Sequence, residues 1–218
     1  MSQVKLIRWS GLLLIVSGVL FLVWWILLGV LLPSTEKGMQ LVNLVLDKDW
    51  LGVNVIGLIG SLLLPLGLIG LYAKQYEKIG IPGFIGFILT FIGSILYTCV
   101  QFGETFTWPL IAAHAPVLLE VKGPMLANSA FFLAYTVMGI LFVIGFILIS
   151  IVSIIAAVLP RIASIFLLIG AILFGAGMFL PLVLRTIGMT LFAIALCWLG
   201  IAIYKGSKIT KSIPMPGI

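Results

Sequence analysis

Residues 82–109 read PGFIGFILTFIGSILYTCVQFGETFTWP. From Pro82 to Phe102 the run carries no charge, and at about 1.5 Å per residue it is long enough to cross about 30 Å of hydrocarbon. Just beyond stands Glu104, the one carboxylate that the sequence places within a spanning helix. The run is continuously apolar instead of alternating, which reads as a membrane helix and excludes a barrel strand. Pro82 suits a first helical turn and Trp108-Pro109 an end, so the pattern predicts a helix over 82–108.

The rest of the chain repeats this character. Hydrophobic residues make up 63% of the 218 positions and charged residues 8%, and the mean hydropathy is +1.36. Soluble domains carry roughly a quarter charged residues, so the expected class is an all-α, multi-pass membrane protein. Six transmembrane helices are predicted, at about 9–32, 51–73, 82–108, 128–159, 162–180 and 184–204. Together they form one domain over 1–204, followed by a flexible basic tail over 205–218. The first run is too long for a signal-peptide core and lacks a small-residue cleavage site, so it reads as a retained span.

The connections are short. Between the first two spans, Met39, Leu41, Val42, Val45 and Leu46 recur at helical spacing, which predicts a short interfacial helix before Trp50. Pro65 is expected to kink the second span, and residues 74–78 read as a tight polar turn. Residues 109–128 are broken by Pro116 and Pro124 and read as an interfacial or re-entrant loop holding the single histidine, His114. Trp24-Trp25 reads as lipid-facing bulk in the first span. Cys99 and Cys197 fall mid-span and behave as small hydrophobes, with no disulfide expected.

Six spans return the chain to its starting side. That side holds Lys5, Arg8, Lys74, Lys78, Arg161, Lys205, Lys208 and Lys211, against Lys37, Lys48, Lys122 and Arg185 on the other. The positive-inside bias therefore predicts cytoplasmic N- and C-termini in the plasma membrane. With the cations at helix ends, the net charge of +6 describes topology, and no nucleic-acid partner is expected.

A local phrase recurs in alternate spans: Ser17-Gly18-Val19-Leu20-Phe21, Gly93-Ser94-Ile95-Leu96-Tyr97 and Gly170-Ala171-Ile172-Leu173-Phe174, about 76–77 residues apart. Each helix then ends near a proline, at Pro33, Pro109 and Pro181. Residues 67–74 and 199–205 echo one another as well. These echoes suggest three helical hairpins repeated in parallel, unlike the inverted repeats common among secondary transporters.

On a helix of about 100° per residue, Gly86 and Glu104 point the same way, and Gly83, Thr90, Gly93, Tyr97, Gln101 and Trp108 lie within roughly 60° of them. Small residues let membrane helices approach closely, so Glu104 is expected to face protein. Residues at similar depth in other spans complete a candidate polar cluster of Asn54, Gln101, Glu104, Thr105, Tyr135 and Arg185. Structurally, Glu104 would pair with Arg185 or be protonated and fix one helix against another. Functionally, an ionisable group inside a span marks a ligand, proton or ion site.

No phosphate loop, dinucleotide fingerprint, CxxC or HExxH is present. No Ser or Cys has a plausible base, and no aspartate lies in a span. Catalytic, cofactor-binding and metal-binding residues are therefore not assigned, and no cofactor is expected. The leading expectation is a non-enzymatic membrane component acting by helix packing: an accessory subunit, assembly factor or small sensor with a protein partner or as a homo-oligomer in the lipid bilayer. The alternatives are a small transporter or channel with an outward-facing proton or cation site at Glu104, and a lipid- or isoprenoid-binding protein or enzyme. The half of the bundle away from Glu104 shows no matching polar path in sequence, which weighs against conduction.

Overall fold

The structure, a computed structural model, describes residues 3–32, 41–120, 123–125, 127, 130–175 and 180–209. Among these every regular element is helical: α1 (Gln3–Leu31), α2 (Leu41–Val45), α3 (Trp50–Ala73), α4 (Tyr76–Phe102), a π-helical turn (Gly103–Thr107), α5 (Trp108–His114), a 3-10 turn (Pro116–Leu119), α6 (Ala130–Ala156), α7 (Arg161–Gly175) and α8 (Leu182–Ile209). Five stretches are long and apolar enough to cross a bilayer: α1, α3, the continuous run Tyr76–His114, α6 and α8. The fifth expected span, 162–180, is represented by α7, which is apolar but only 15 residues long, and residues 176–179 of that span lie outside the described residues.

Several boundaries differ from the sequence expectation for physical reasons. A single helical turn at residues 76–79 precedes the expected start, and the break after it falls at Gly80, whose φ of 53° is open to glycine, so the span itself begins beside Pro82 as expected. Pro82 follows and cannot donate a backbone hydrogen bond. Helix also continues through Trp108-Pro109 to His114. At the other end α6 stops at Ala156, before Ala157 at φ 51°, and α8 runs on past Tyr204 to Ile209. Residues 210–218 of the expected tail, and Met39 of the expected interfacial helix, lie outside the described residues.

The long helices close a ring in the order α1, α3, α4, α6, α7, α8 and back to α1. Neighbours run antiparallel, as paired contacts show. Going along α3 from Gly57 to Gly70, the α1 partners descend from Trp24 to Ser10. Between α4 and α6, Gly86 meets Ile149 and Gly93 meets Phe142. The start of α1 and the end of α8 therefore lie at one end of the ring, here called the near end. The far end carries α2, α5 and the 3-10 turn.

Close approach of backbones explains the glycines at these crossings. A Cβ on Gly93 would sit 2.5 Å from the Phe142 amide nitrogen, and one on Gly200 would sit 2.6 Å from the Gly11 carbonyl oxygen. Real Cβ atoms do not approach so closely, so any side chain there separates the helices. In a bilayer, where burial of apolar surface drives little helix association, such contacts carry the packing.

The centre of the ring is filled by aromatic rings. Phe21 of α1, Tyr97 of α4, Phe142 and Phe146 of α6, Phe174 of α7 and Phe192 of α8 meet with centroids 4.6–6.2 Å apart. Phe21, Phe146 and Phe192 are almost fully buried. Outside the ring the picture reverses. Ile81, Ile155 and Val30 are 77%, 73% and 67% exposed, among many other large apolar side chains around the bundle. A soluble monomer rarely shows apolar patches on that scale.

Candidate functional site

The buried face of α4 runs through Gly83, Gly86, Thr90, Gly93 and Gln101, with Tyr97 half-buried among them. Continued past Phe102, this face reaches Glu104 and Trp108 by way of the π-helical turn. Proline accounts for that turn. In an α-helix the ring of Pro109 would press on the carbonyl four residues earlier. Here the Trp108 amide instead donates to the Gly103 carbonyl, five residues back. The next bond of that series would come from residue 109, which has no N–H, so the Glu104 carbonyl is left over. The indole of Trp50 supplies the missing donor, Nε1 to the Glu104 oxygen at 3.1 Å. A single widened turn thus accommodates Pro109 and ties the start of α3 to the end of α4.

Two hydrogen-bonded groups occupy this level. In the first, Asn54 is the hub. Its Oδ1 accepts from Trp24 Nε1 at 3.3 Å and from Gln101 Nε2 at 3.2 Å, and its Nδ2 donates to the Trp50 carbonyl at 2.9 Å. Asn54 and Gln101 are 2% and 1% exposed, so the amides are sequestered and must be satisfied within the protein. Thr105, fully buried, donates to the Gln101 carbonyl at 2.6 Å. This group bonds α1, α3 and α4 together.

In the second group, the Tyr135 hydroxyl of α6 donates to Glu104 Oε1 at 2.6 Å. Both residues are half-buried. Arg185, also half-buried, stands over the Trp25 ring, its guanidinium carbon 5.7 Å from the ring centroid, and Trp25 Nε1 donates to Thr186 Oγ1 at 3.2 Å. Among the described residues no ion pair joins Arg185 to Glu104. The carboxylate's direct side-chain partner is a phenol from α6.

Two residues, Trp24 and Gln75, depart from their sequence reading, and Trp50 has a role it did not show. Trp24, expected to face lipid, is 7% exposed, and its ring lies flat against Gly57 at about one atom's thickness, where a Cβ would come within 2.9 Å. Trp50, which follows the expected interfacial helix, is buried and bonded to the Glu104 carbonyl, a role the sequence did not assign. Gln75, assigned to a polar turn, is 2% exposed at the near end, where its Nε2 donates to Ser153 Oγ at 2.8 Å. The small-residue pattern of α3 could have located Trp24, because a glycine facing α1 leaves room for an indole. Nothing in the local sequence distinguishes Gln75 from a solvated turn residue.

The near half of the ring is also less uniformly apolar than its sequence suggests. Ser10, Ser17, Ser61, Ser94, Ser150, Ser153 and Ser164 are all buried. Several bond backbone carbonyls, as Ser17 does to Gly60 at 2.8 Å and Ser153 to Ile149 at 2.6 Å. Gln75 Oε1, Ser94 Oγ and Ser150 Oγ have no partner among the described residues. The aromatic layer lies between Ser10, Ser150, Ser153 and Ser164 and the Asn54 and Glu104 groups, while Ser61 and Ser94 stand beside it: Gly93 meets Phe142, and Thr98, next to Tyr97, donates to the Ser61 and Ser94 carbonyls. His114 is exposed on α5, and Cys197 Sγ approaches the Ile15 carbonyl at 3.6 Å. Among the described residues no group of His, Cys, Asp and Glu side chains could hold a metal ion.

No protein-family model, curated protein or solved structure matches the chain.

Proposed function

We propose that the chain is a six-span plasma-membrane protein with cytoplasmic termini, built from three parallel helical hairpins, that binds at its far end and does not conduct. It would act as an accessory subunit, assembly factor or small sensor, with the far end facing outward. The aromatic layer carries this reading. A conducting pathway needs polar lining throughout or a constriction that wets, whereas six rings packed at 4.6–6.2 Å fill the axis below Glu104. The fifth of the six spans is α7. Support for the hairpin repeat comes from the meeting of Phe21, Tyr97 and Phe174, the aromatic ends of the three recurring phrases, with Tyr97 6.2 Å from Phe21 and 6.0 Å from Phe174. The bias of Lys and Arg toward the near end supports cytoplasmic termini.

Reconstitution tests the reading. Proteoliposomes holding the full chain should show proton and cation flux no greater than protein-free liposomes. Flux that disappears in Glu104→Ala would instead establish the transporter alternative.

A further inference from the structure

At the near end, the seam between α1 and α8 carries two cations on its outer flank. Gly11 of α1 meets Gly200 and Tyr204 of α8, while Ser10 meets Gly70 of α3. At about 100° per residue, Arg8 lies about 160° and Lys5 about 140° around α1 from Ser10, so both turn away from α3 and the ring's interior. Both are exposed. One turn apart on a helix, their Cβ atoms are about 5–6 Å from each other, close enough to serve one phosphate. Arg8 is held from the neighbouring helix: its Nη2 donates to the Tyr204 hydroxyl at 2.6 Å, and its guanidinium carbon stands 4.5 Å from the centroid of the same ring. That bond uses one of the five guanidinium N–H donors. Among the described residues the others meet no acceptor, and neither cation is in an ion pair.

Helix length fixes the depth of this pair. The apolar run Val4–Leu31 has 28 residues, about 42 Å at about 1.5 Å per residue, and overhangs a hydrocarbon core of about 30 Å by about 6 Å at each end. Arg8 is four residues in from Val4, at the boundary between hydrocarbon and headgroups. Beside it Trp9 is 57% exposed, the aromatic residue expected at that level. Deeper along the same flank the surface turns apolar, with Val19 47% and Ile201 40% exposed.

We propose that this flank of the α1–α8 seam binds one phospholipid of net negative headgroup charge. Its phosphate accepts from Arg8 and Lys5, and its acyl chains lie along the apolar surface at Val19 and Ile201. Bonds from a guanidinium to a phosphate are charge-assisted, roughly twice as strong as neutral ones. Tyr204 holds the guanidinium before the lipid arrives, so less side-chain freedom is lost on binding than a free arginine would lose. A zwitterionic headgroup would bring its own cation beside Lys5, which favours the anionic lipid. Basic groups between helices on the cytoplasmic side suit the anionic lipids of that leaflet. The inference rests on the reading of the chain as membrane-spanning with its near end at the cytoplasmic surface, and it adds a ligand at the end opposite Glu104.

The test uses the full chain in micelles of a non-ionic detergent, following the thermal midpoint while titrating phosphatidylglycerol, phosphatidylcholine with the same acyl chains, or glycerol phosphate. Phosphatidylglycerol should raise the midpoint in a saturable way. Its apparent affinity should exceed that of phosphatidylcholine at least about tenfold, and glycerol phosphate, which has no acyl chains, should leave the midpoint unchanged. Arg8→Gln should weaken the phosphatidylglycerol response about tenfold. Lys78→Gln removes the same charge from an exposed near-end position on α4, which is not a ring neighbour of α1 or α8, and should change the affinity less than about twofold. The comparison of ligands on the wild-type chain survives any folding defect in the variants. No response to phosphatidylglycerol, an equal response to phosphatidylcholine, a response to glycerol phosphate as strong as to the lipid, an unchanged affinity in Arg8→Gln, or an equal loss in Lys78→Gln overturns the proposal. Flux through liposomes would remove the non-conducting reading and leave the binding result standing, so the two failures are distinguishable.

Discussion

Removing the Asn54 hub offers a quantitative probe of how the far end is held. Three bonds meet at this side chain, from Trp24 at 3.3 Å, from Gln101 at 3.2 Å and to the Trp50 carbonyl at 2.9 Å. Side-chain hydrogen bonds between membrane helices average about 0.6 kcal/mol, with a maximum near 1.7 kcal/mol. Losing all three therefore predicts a cost of about 2 kcal/mol, rising toward about 5 kcal/mol if each is near the maximum. Asn54→Ala leaves both N–H donors stranded in a site that is 2% exposed at Asn54 and 1% at Gln101, which favours the upper part of that range. The Gln101 contribution is isolated by a double-mutant cycle with Gln101→Ala, where a direct bond predicts coupling of about 0.6–1.7 kcal/mol. A second cycle pairing Asn54 with Tyr135, which share no hydrogen bond, should be additive within about 0.5 kcal/mol. Equilibrium unfolding by sodium dodecyl sulfate titration in mixed micelles, read by tryptophan fluorescence, supplies each value. Buried Trp24 also reports directly, since its emission should shift to the red in Asn54→Ala. Additivity between Asn54 and Gln101, or an unchanged Trp24 spectrum, would refute the hub.

Gly93→Ala should destabilise the bundle by about 1–3 kcal/mol, because its methyl meets the Phe142 backbone at 2.5 Å. Gly139→Ala on α6, where nothing lies within 4 Å, should stabilise slightly through helix propensity; the two midpoints measured side by side check the packing geometry. Tyr135→Phe removes the donor to Glu104 and should cost about 0.6–1.7 kcal/mol in the same unfolding assay, with the loss absent in a Glu104→Ala background, which leaves the hydroxyl no acceptor at that position. Gln75→Leu trades one bond to Ser153 for relief of the unpartnered Oε1, so its effect should be neutral to stabilising by about 1 kcal/mol; a loss above about 2 kcal/mol would show that the oxygen is satisfied.

The phase of α4 was legible before any coordinates, since Gly83, Gly86, Thr90, Gly93 and Gln101 all lie on one buried face at helical spacing. That argument works because the helix repeat fixes direction about the helix's own axis. It stops where the repeat changes. The π-helical turn over Gly103–Thr107 breaks the phase, and Glu104 reaches its neighbours through a register that a uniform 100° step does not describe. Partner identity fails for a similar reason. Arg185 was the electrostatically obvious mate for Glu104, yet a phenol from α6 holds Oε1 and Arg185 turns to Trp25. Trp24 was misjudged because burial of an indole depends on a glycine on another helix, Gly57.

The sequence by itself determined the main helices and which of them are long and apolar enough to cross a bilayer, since run length and lack of charge are properties of the chain alone, and it showed the cations crowded into one set of connections. It also determined where α1, α4, α7 and α8 could approach, since only glycine and its small relatives permit those distances. Tertiary structure alone decided the ring order, the aromatic filling of its axis and the partners of Glu104, Asn54 and Gln75. Those follow from how neighbouring helices are rotated and shifted against each other, and a one-dimensional period carries no information about the rotation of a second rod.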